Sequence, residues 1–179
     1  VAQGGAPRAA IEMGKGDIKK AEKILGNCFV LLITLAVILT TIFLVFGERF
    51  LMLFGASEST IIYALPYLRI YVAGSIFVMI SLGLNMFITT QGFTKISMAT
   101  VLIGAITNII LDPILIFGFD MGVKGAAFAT IISQALSATW VLLFLTGHKT
   151  KLRIKKENLL PDMKILAPVL ALGISPFVM

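Results

Sequence analysis

In the stretch "NIILDPILIF", residues 108–117, one carboxylate sits inside an apolar run, an amide precedes it by one turn, and a proline follows it directly. Asn108 and Asp112 are spaced i, i+4 and leave a helix on one face. Pro113 has no N–H, so the carbonyl of Ile109 lacks its helical donor and the helix is expected to kink there. Thr130 and Tyr67 add hydroxyls from two other apolar segments. A carboxylate, an amide, hydroxyls and a loosened carbonyl are hard oxygen ligands, suited to a proton or a small cation. If sodium is the ion, Asp112, Asn108 and Thr130 are its expected ligands. No Walker-type loop or nucleophile–base pair accompanies them, and the single histidine, His148, lies at a helix end. Neither an enzyme nor a cofactor is expected.

The elements that hold these residues follow from composition. Apolar residues make up 58% of the 179-residue chain and charged residues 13%, too little polar surface to cover a soluble domain. Long uncharged runs carry the excess, and a bilayer core takes about 20 apolar residues of helix. The spans read as roughly 24–47, 60–90, 94–118 and 124–147, with a further one opening near Lys164. Helix is the default, because lipid leaves every backbone group to be bonded internally. Turn signals fall between the runs, at 54–60, 89–95 and 117–125. The expected class is an all-α polytopic membrane protein. Cys28 lies within a span and has no second cysteine to pair with. The chain opens without Met and closes inside an apolar run, so it reads as a piece of a longer protein.

Loop charge sets direction. Residues 1–23 carry Arg8, Lys15, Lys19, Lys20 and Lys23, and residues 148–164 carry six more basic residues. With Lys95 these regions hold twelve of the fifteen Lys and Arg, whereas the opposite loops hold Arg49 and Lys124. The positive-inside rule makes the loops 1–23, 89–95 and 148–164 cytoplasmic, in a cell (inner) membrane. The net charge of +6 is then a topology signal rather than a nucleic-acid patch. Residues 148–164 read as a solvated loop facing lipid headgroups.

Depth counts from this direction at about 1.5 Å per residue. Asp112 falls about 9 Å beneath the outer boundary with Asn108 a turn deeper, Thr130 at about 9 Å, and Tyr67 at about 10 Å. Asn85 counts out near the cytoplasmic end of its span, outside this level. Simpler roles compete. Asp112 as a structural partner of Arg69 is disfavoured, because Tyr67 and Arg69 leave their helix in nearly opposite directions. Thr130 lies on the small-residue face "GVKGAAFAT", which suits close helix packing. Asn85, Ser133 and Gln134 suit interhelical hydrogen bonds. An ionisable residue within the membrane is functional by default, since its isolated burial costs about 3 kcal/mol or more.

The stretches "GGAPRAAIEMGKGDIKKAEKILGN", "LMLFGAS", "LGLNMFITTQGFTK", "LIGAITNIILDPILIF" and "DMGVKGAAFATIISQ" together resemble the multidrug and toxic compound extrusion (MATE) transporters of the bacterial type, over essentially the whole chain. The resemblance implies part of the N-terminal six-helix lobe of a twelve-helix transporter. In that scheme residues 1–23 are the end of the second helix and a cytoplasmic loop. Residues 24–147 hold the third to sixth helices, 148–163 link the lobes, and 164–179 start the seventh. It also implies a cation site in this lobe, with the family's fifth-helix Asn and Asp at Asn108 and Asp112, its sixth-helix Thr at Thr130 and a fourth-helix Tyr at Tyr67. A second family acid, on the first helix, falls before Val1.

The expected function is a secondary active antiporter that exports cationic or amphipathic organic compounds in exchange for H⁺ or Na⁺; the sequence leaves both ions open. Its partners are then small cationic drugs or dyes, the coupling ion, lipid and the remainder of the same chain. A flippase for lipid-linked precursors or polysaccharides, of the same superfamily, is the alternative transporter. A membrane scaffold with a structural Asp112 is the alternative outside transport. The orientation predicts that an impermeant thiol reagent labels Ser57→Cys and Asp120→Cys from outside intact cells and leaves Lys151→Cys untouched. Labelling of Lys151→Cys would reverse the topology.

Overall fold

The computed structural model describes residues 1–178. Among them are seven α-helices and no strand: α1 (Ala2–Gly14), α2 (Ile18–Leu53), α3 (Glu58–Ala73), α4 (Ser75–Thr90), α5 (Thr94–Pro113), α6 (Gly122–Thr146) and α7 (Met163–Val178). A π-helical turn, Ile114–Gly118, extends α5, and a short 3₁₀ turn, Lys156–Asn158, precedes α7. Large apolar side chains such as Val45, Leu53, Ile109 and Leu143 lie on the outside, as lipid-facing helices require. The protein is an all-α polytopic membrane protein.

Helix ends follow local chemistry. The Asp17 side chain accepts the amide of Lys20 at 2.9 Å and caps α2, and Ser57 caps α3 through the amide of Thr60 at 3.3 Å. Gly55, at φ 92, turns the chain between these helices. The 36 residues of α2 extend about 54 Å, well beyond a hydrocarbon core of about 30 Å, so its polar ends stand outside the lipid. At its basic end, Lys20 and Lys15 donate to Glu12 at 3.1 and 3.3 Å. The Lys20 bond holds the Glu12 carboxyl below the usual carboxylate range.

The stretch 60–90, expected as one span, is two helices bent by 51° at Gly74. A Cβ at Gly74 would strike the Ile131 side chain, so the bare glycine lets α6 press into the break. Bending also displaces backbone partners. The Thr40 hydroxyl from α2 donates to the Val72 carbonyl at 3.1 Å and lies 3.0 Å from the Ser75 hydroxyl, bracing both sides of the bend. The sequence signal was a single Gly-Ser pair, which a count of apolar residues passes over.

The best-packed core lies at the basic end, where α1, α2, α4 and α6 converge on Leu25, Cys28, Leu84, Phe87 and Val141. Leu152, from the segment expected to be a solvated loop, is fully buried in this core. That expectation is corrected by three buried polar anchors. Gln91 Oε1 accepts from the Thr150 hydroxyl at 2.8 Å and from the amides of Lys151 and Leu152 at 2.9 Å each. Glu22 accepts the Arg153 amide at 3.3 Å and Lys155 Nζ at 2.7 Å. Asn27 Oδ1 accepts the Asp162 amide at 2.6 Å, and its Nδ2 donates to the Asn158 carbonyl at 3.4 Å. Residues 150–162 therefore form a strap across the bundle end, with Lys151 and Lys156 exposed and Lys155 turned onto Glu22.

Gln91→Leu removes the acceptor of two backbone amides in this strap. Stability of the full-length protein in micelles should fall by about 2–4 kcal/mol, read from its denaturant midpoint. An unmoved midpoint would show the strap to be incidental.

Candidate functional site

The chemistry-bearing residues stand where α5 and α6 pack through small residues. A Cβ on Gly104 would lie 2.7 Å from the Ser137 hydroxyl, and one on Gly125 would lie 2.7 Å from the Leu115 carbonyl. Ser137 also donates to the Thr100 carbonyl at 3.0 Å, tying the two helices near their basic ends. At the other end, Gly125 seats against the π-helical turn. Such close approach is the main source of helix association in lipid, which offers no hydrophobic drive between helices.

Pro113 closes α5, and the next amide, that of Ile114, donates to the Leu111 carbonyl. Beyond it the bonding shifts to a π register, with the Phe119 amide reaching the Ile114 carbonyl at 3.0 Å. The helix thus continues past Pro113 to Gly118, the end expected for this span, in an altered register of a form frequent beside functional sites.

Asn108 Nδ2 donates to Asp112 Oδ1 at 3.3 Å, so the i, i+4 pair is joined on one face of α5. Both residues are half-buried. Thr130 donates to the Ala126 carbonyl one turn back at 2.9 Å, which leaves its oxygen lone pairs free to accept or ligate. Asn108 and Thr130 line one cavity of about 230 Å³ between α4, α5 and α6. Asp112 does not line this cavity and is tied to its wall by the hydrogen bond from Asn108.

Tyr67 is not brought to the carboxylate. Its ring stacks on Tyr71, with centroids 6.0 Å apart, and α3 packs against α2 and α6 but not against α5. Equal depth placed Tyr67 with Asp112, but α6 stands between their helices. Arg69 is exposed, and the three ion pairs among the described residues all lie at the basic end, so none engages Asp112. Asn85, set aside on its depth, lines the cavity with Asn108 and Thr130. The signal for it was an amide four residues after Ser81 in an otherwise apolar helix, with no nearby charge to satisfy it.

Two glycines test the packing that sets this level. Gly125→Ala should destabilise the full-length protein by about 1–3 kcal/mol by driving α6 from the π turn. Gly118→Ala, which meets nothing within 4 Å, should change stability by less than about 0.5 kcal/mol. Equal denaturant midpoints for the two variants would refute the tight seat at Gly125.

Comparison with known proteins agrees with this architecture. The MatE family model matches residues 1–114. The multidrug export protein MepA of Staphylococcus aureus is 31% identical over 147 residues, 82% of this chain and 33% of that protein. The chain thus spans about a third of the length of the export proteins it matches. An inward-facing multidrug resistance MATE family transporter of the MOP superfamily superposes with a TM-score of 0.91, at 25% identity, over 97% of this chain and 40% of that one. A MOP superfamily transporter from Pyrococcus furiosus Vc1 superposes with a TM-score of 0.90, at 25% identity, over 97% of this chain and 38% of that one. It is described as having a binding pocket of reversed polarity that suggests a different function. Matched by the family model over more than half its length, the chain belongs to the MatE family.

Proposed function

We propose that this chain supplies the cation-binding half of a secondary active antiporter that exports cationic or amphipathic organic compounds in exchange for H⁺ or Na⁺. The observation that carries the reading is the Asn108–Asp112 pair, joined at 3.3 Å on α5, with Asn108 lining the same cavity as the α6 residue Thr130. Asp112 is the one carboxylate within the span ranges 24–47, 60–90, 94–118 and 124–147. Among the described residues no three His, Cys, Asp or Glu side chains gather as a metal-binding group. One carboxylate with neutral amide, hydroxyl and carbonyl oxygens suits a single positive charge better than a divalent ion. The similarity to export proteins supports transport as the setting.

In this reading the ion neutralises Asp112 and draws Asn108 and Thr130 around it. The π turn and Gly125 hold α5 and α6 at the separation that lets both contribute. Exchange follows when the ion and the exported compound favour opposite states of the lobe, because such coupling is reciprocal. The basic loops and the strap face the cytoplasm. Tyr67, stacked on Tyr71 away from α5, is assigned the smallest part in the site.

Efflux of a cationic dye from proteoliposomes holding the full-length protein, under an imposed H⁺ or Na⁺ gradient, tests the assignment. Asp112→Asn should abolish gradient-driven efflux at normal expression. Asn108→Ala and Thr130→Ala should slow it, since each removes an oxygen ligand from a charge held within the membrane. Tyr67→Phe should change it least. Full efflux by Asp112→Asn would sink the site.

A further inference from the structure

Two hollows follow one another along the seam between α3 and α6. The outer one, of about 490 Å³, is lined by Pro66 of α3, Lys124 of α6 and Asp120 of the turn before α6. The inner one, of about 420 Å³, is lined by Ile70 and Ala73 of α3 and by Phe128 and Ile131 of α6, with Arg69 on its wall. Pro66, Ile70 and Ala73 are spaced i, i+4, i+7 and share one face of α3. Lys124, Phe128 and Ile131 repeat that spacing on α6, so the two hollows belong to one groove. It shares no lining residue with the cavity beside Asn108 and Thr130. Phe128 and Thr130, two residues apart, leave α6 in nearly opposite directions, which sets the groove on the far side of that helix.

The walls are apolar, and the charge is positive on balance. Within the span ranges the basic residues are Arg69, Lys95 and Lys124, and only Arg69 lies away from a span end. None of the three ion pairs among the described residues involves Arg69 or Lys124. A guanidinium stays charged in a protein, and a charge held in the membrane without a partner is costly. Arg69 counts out about 13 Å beneath the outer boundary. Side chains tilt toward the N-terminus of their helix, which for α3 is the outer end, so the stem of Arg69 leads its charge toward the headgroups. Two cations and one acid, Asp120, make the groove a poor seat for a cationic compound. An anion with an apolar tail fits it.

We propose that the α3–α6 groove binds an anionic phospholipid of the outer leaflet. Its phosphate is held by Arg69 and Lys124, and one acyl chain lies along Ile70, Ala73 and Phe128 toward the bend at Gly74. The guanidinium fork matches two phosphate oxygens, and the ammonium adds a point charge nearer the surface. An acyl chain descends from its headgroup toward the middle of the bilayer, the direction in which the groove runs from Arg69.

Photolabelling of the full-length protein in phosphatidylcholine vesicles tests the groove. A trace of phosphatidylglycerol with a diazirine in its acyl chain should label α3–α4 and α6 within 66–77 and 123–131. A trace of the same probe with a choline headgroup, which carries its own cation, should label them at least about tenfold less. Arg69→Gln should cut phosphatidylglycerol labelling about tenfold, as the loss of one charge-assisted contact would, whereas Arg69→Lys should keep most of it. In lipid-free detergent micelles Arg69→Gln should keep the wild-type denaturant midpoint. A lower midpoint there would mean that Arg69 meets an acid elsewhere in the full chain, and it overturns the lipid site. Equal labelling by the two probes, labelling confined to other segments, or undiminished labelling of Arg69→Gln overturns it as well.

Discussion

The close contact of α5 with α6 is the constraint on which the rest of the arrangement depends. Gly104 meets Ser137 at one end and Gly125 meets the Leu115 carbonyl at the other. Between these two points the helices have no freedom to slide, so Asn108 and Thr130 are held on one cavity wall. Lipid supplies no hydrophobic force to correct a poor fit, and backbone proximity does that work instead. The π turn belongs to the same constraint. It carries α5 past a proline that removes an amide, and it offers the carbonyl on which Gly125 rests.

What the sequence made legible is what depends on short range or on bulk composition. Run length and the scarcity of charge establish a helical membrane protein, and the i, i+4 spacing of Asn108 and Asp112 places them on one helix face. What it left hidden depends on partners far away in the chain. Gln91 and Thr150 are 59 residues apart, so a basic, polar stretch read as solvated although its backbone is bonded into the bundle. Gly74 lies inside the apolar run 60–90, and its partner at the bend is Ile131 of α6, far along the chain. Tyr67 shows the limit of a one-dimensional depth coordinate. Two residues at one depth lie anywhere around the lobe, and only packing shows that α6 separates α3 from α5.

The fold itself says little about what moves through it. The transporter from Pyrococcus furiosus superposes on this chain as well as a multidrug resistance transporter does, yet it is described as having a reversed pocket polarity. Function in such a scaffold resides in a few polar side chains whose sign and spacing vary while the apolar packing stays. In the site proposed for this chain that set is small: one acid, one amide and the hydroxyl of Thr130.

The strap bears on how the chain is made. Membrane helices emerge in order, and α2, with Glu22 and Asn27, is complete long before residues 150–162 are synthesised. The bond from Lys155 to Glu22 spans 133 residues, and that from the Asp162 amide to Asn27 spans 135. Until then the side-chain oxygens of Glu22, Asn27 and Gln91 lack the amides that the strap brings to them, and Leu152 has not yet entered the core. The bundle end is therefore sealed last, after α6 has left the ribosome, and an insertion intermediate that stops at Thr146 keeps an open, hydrated end.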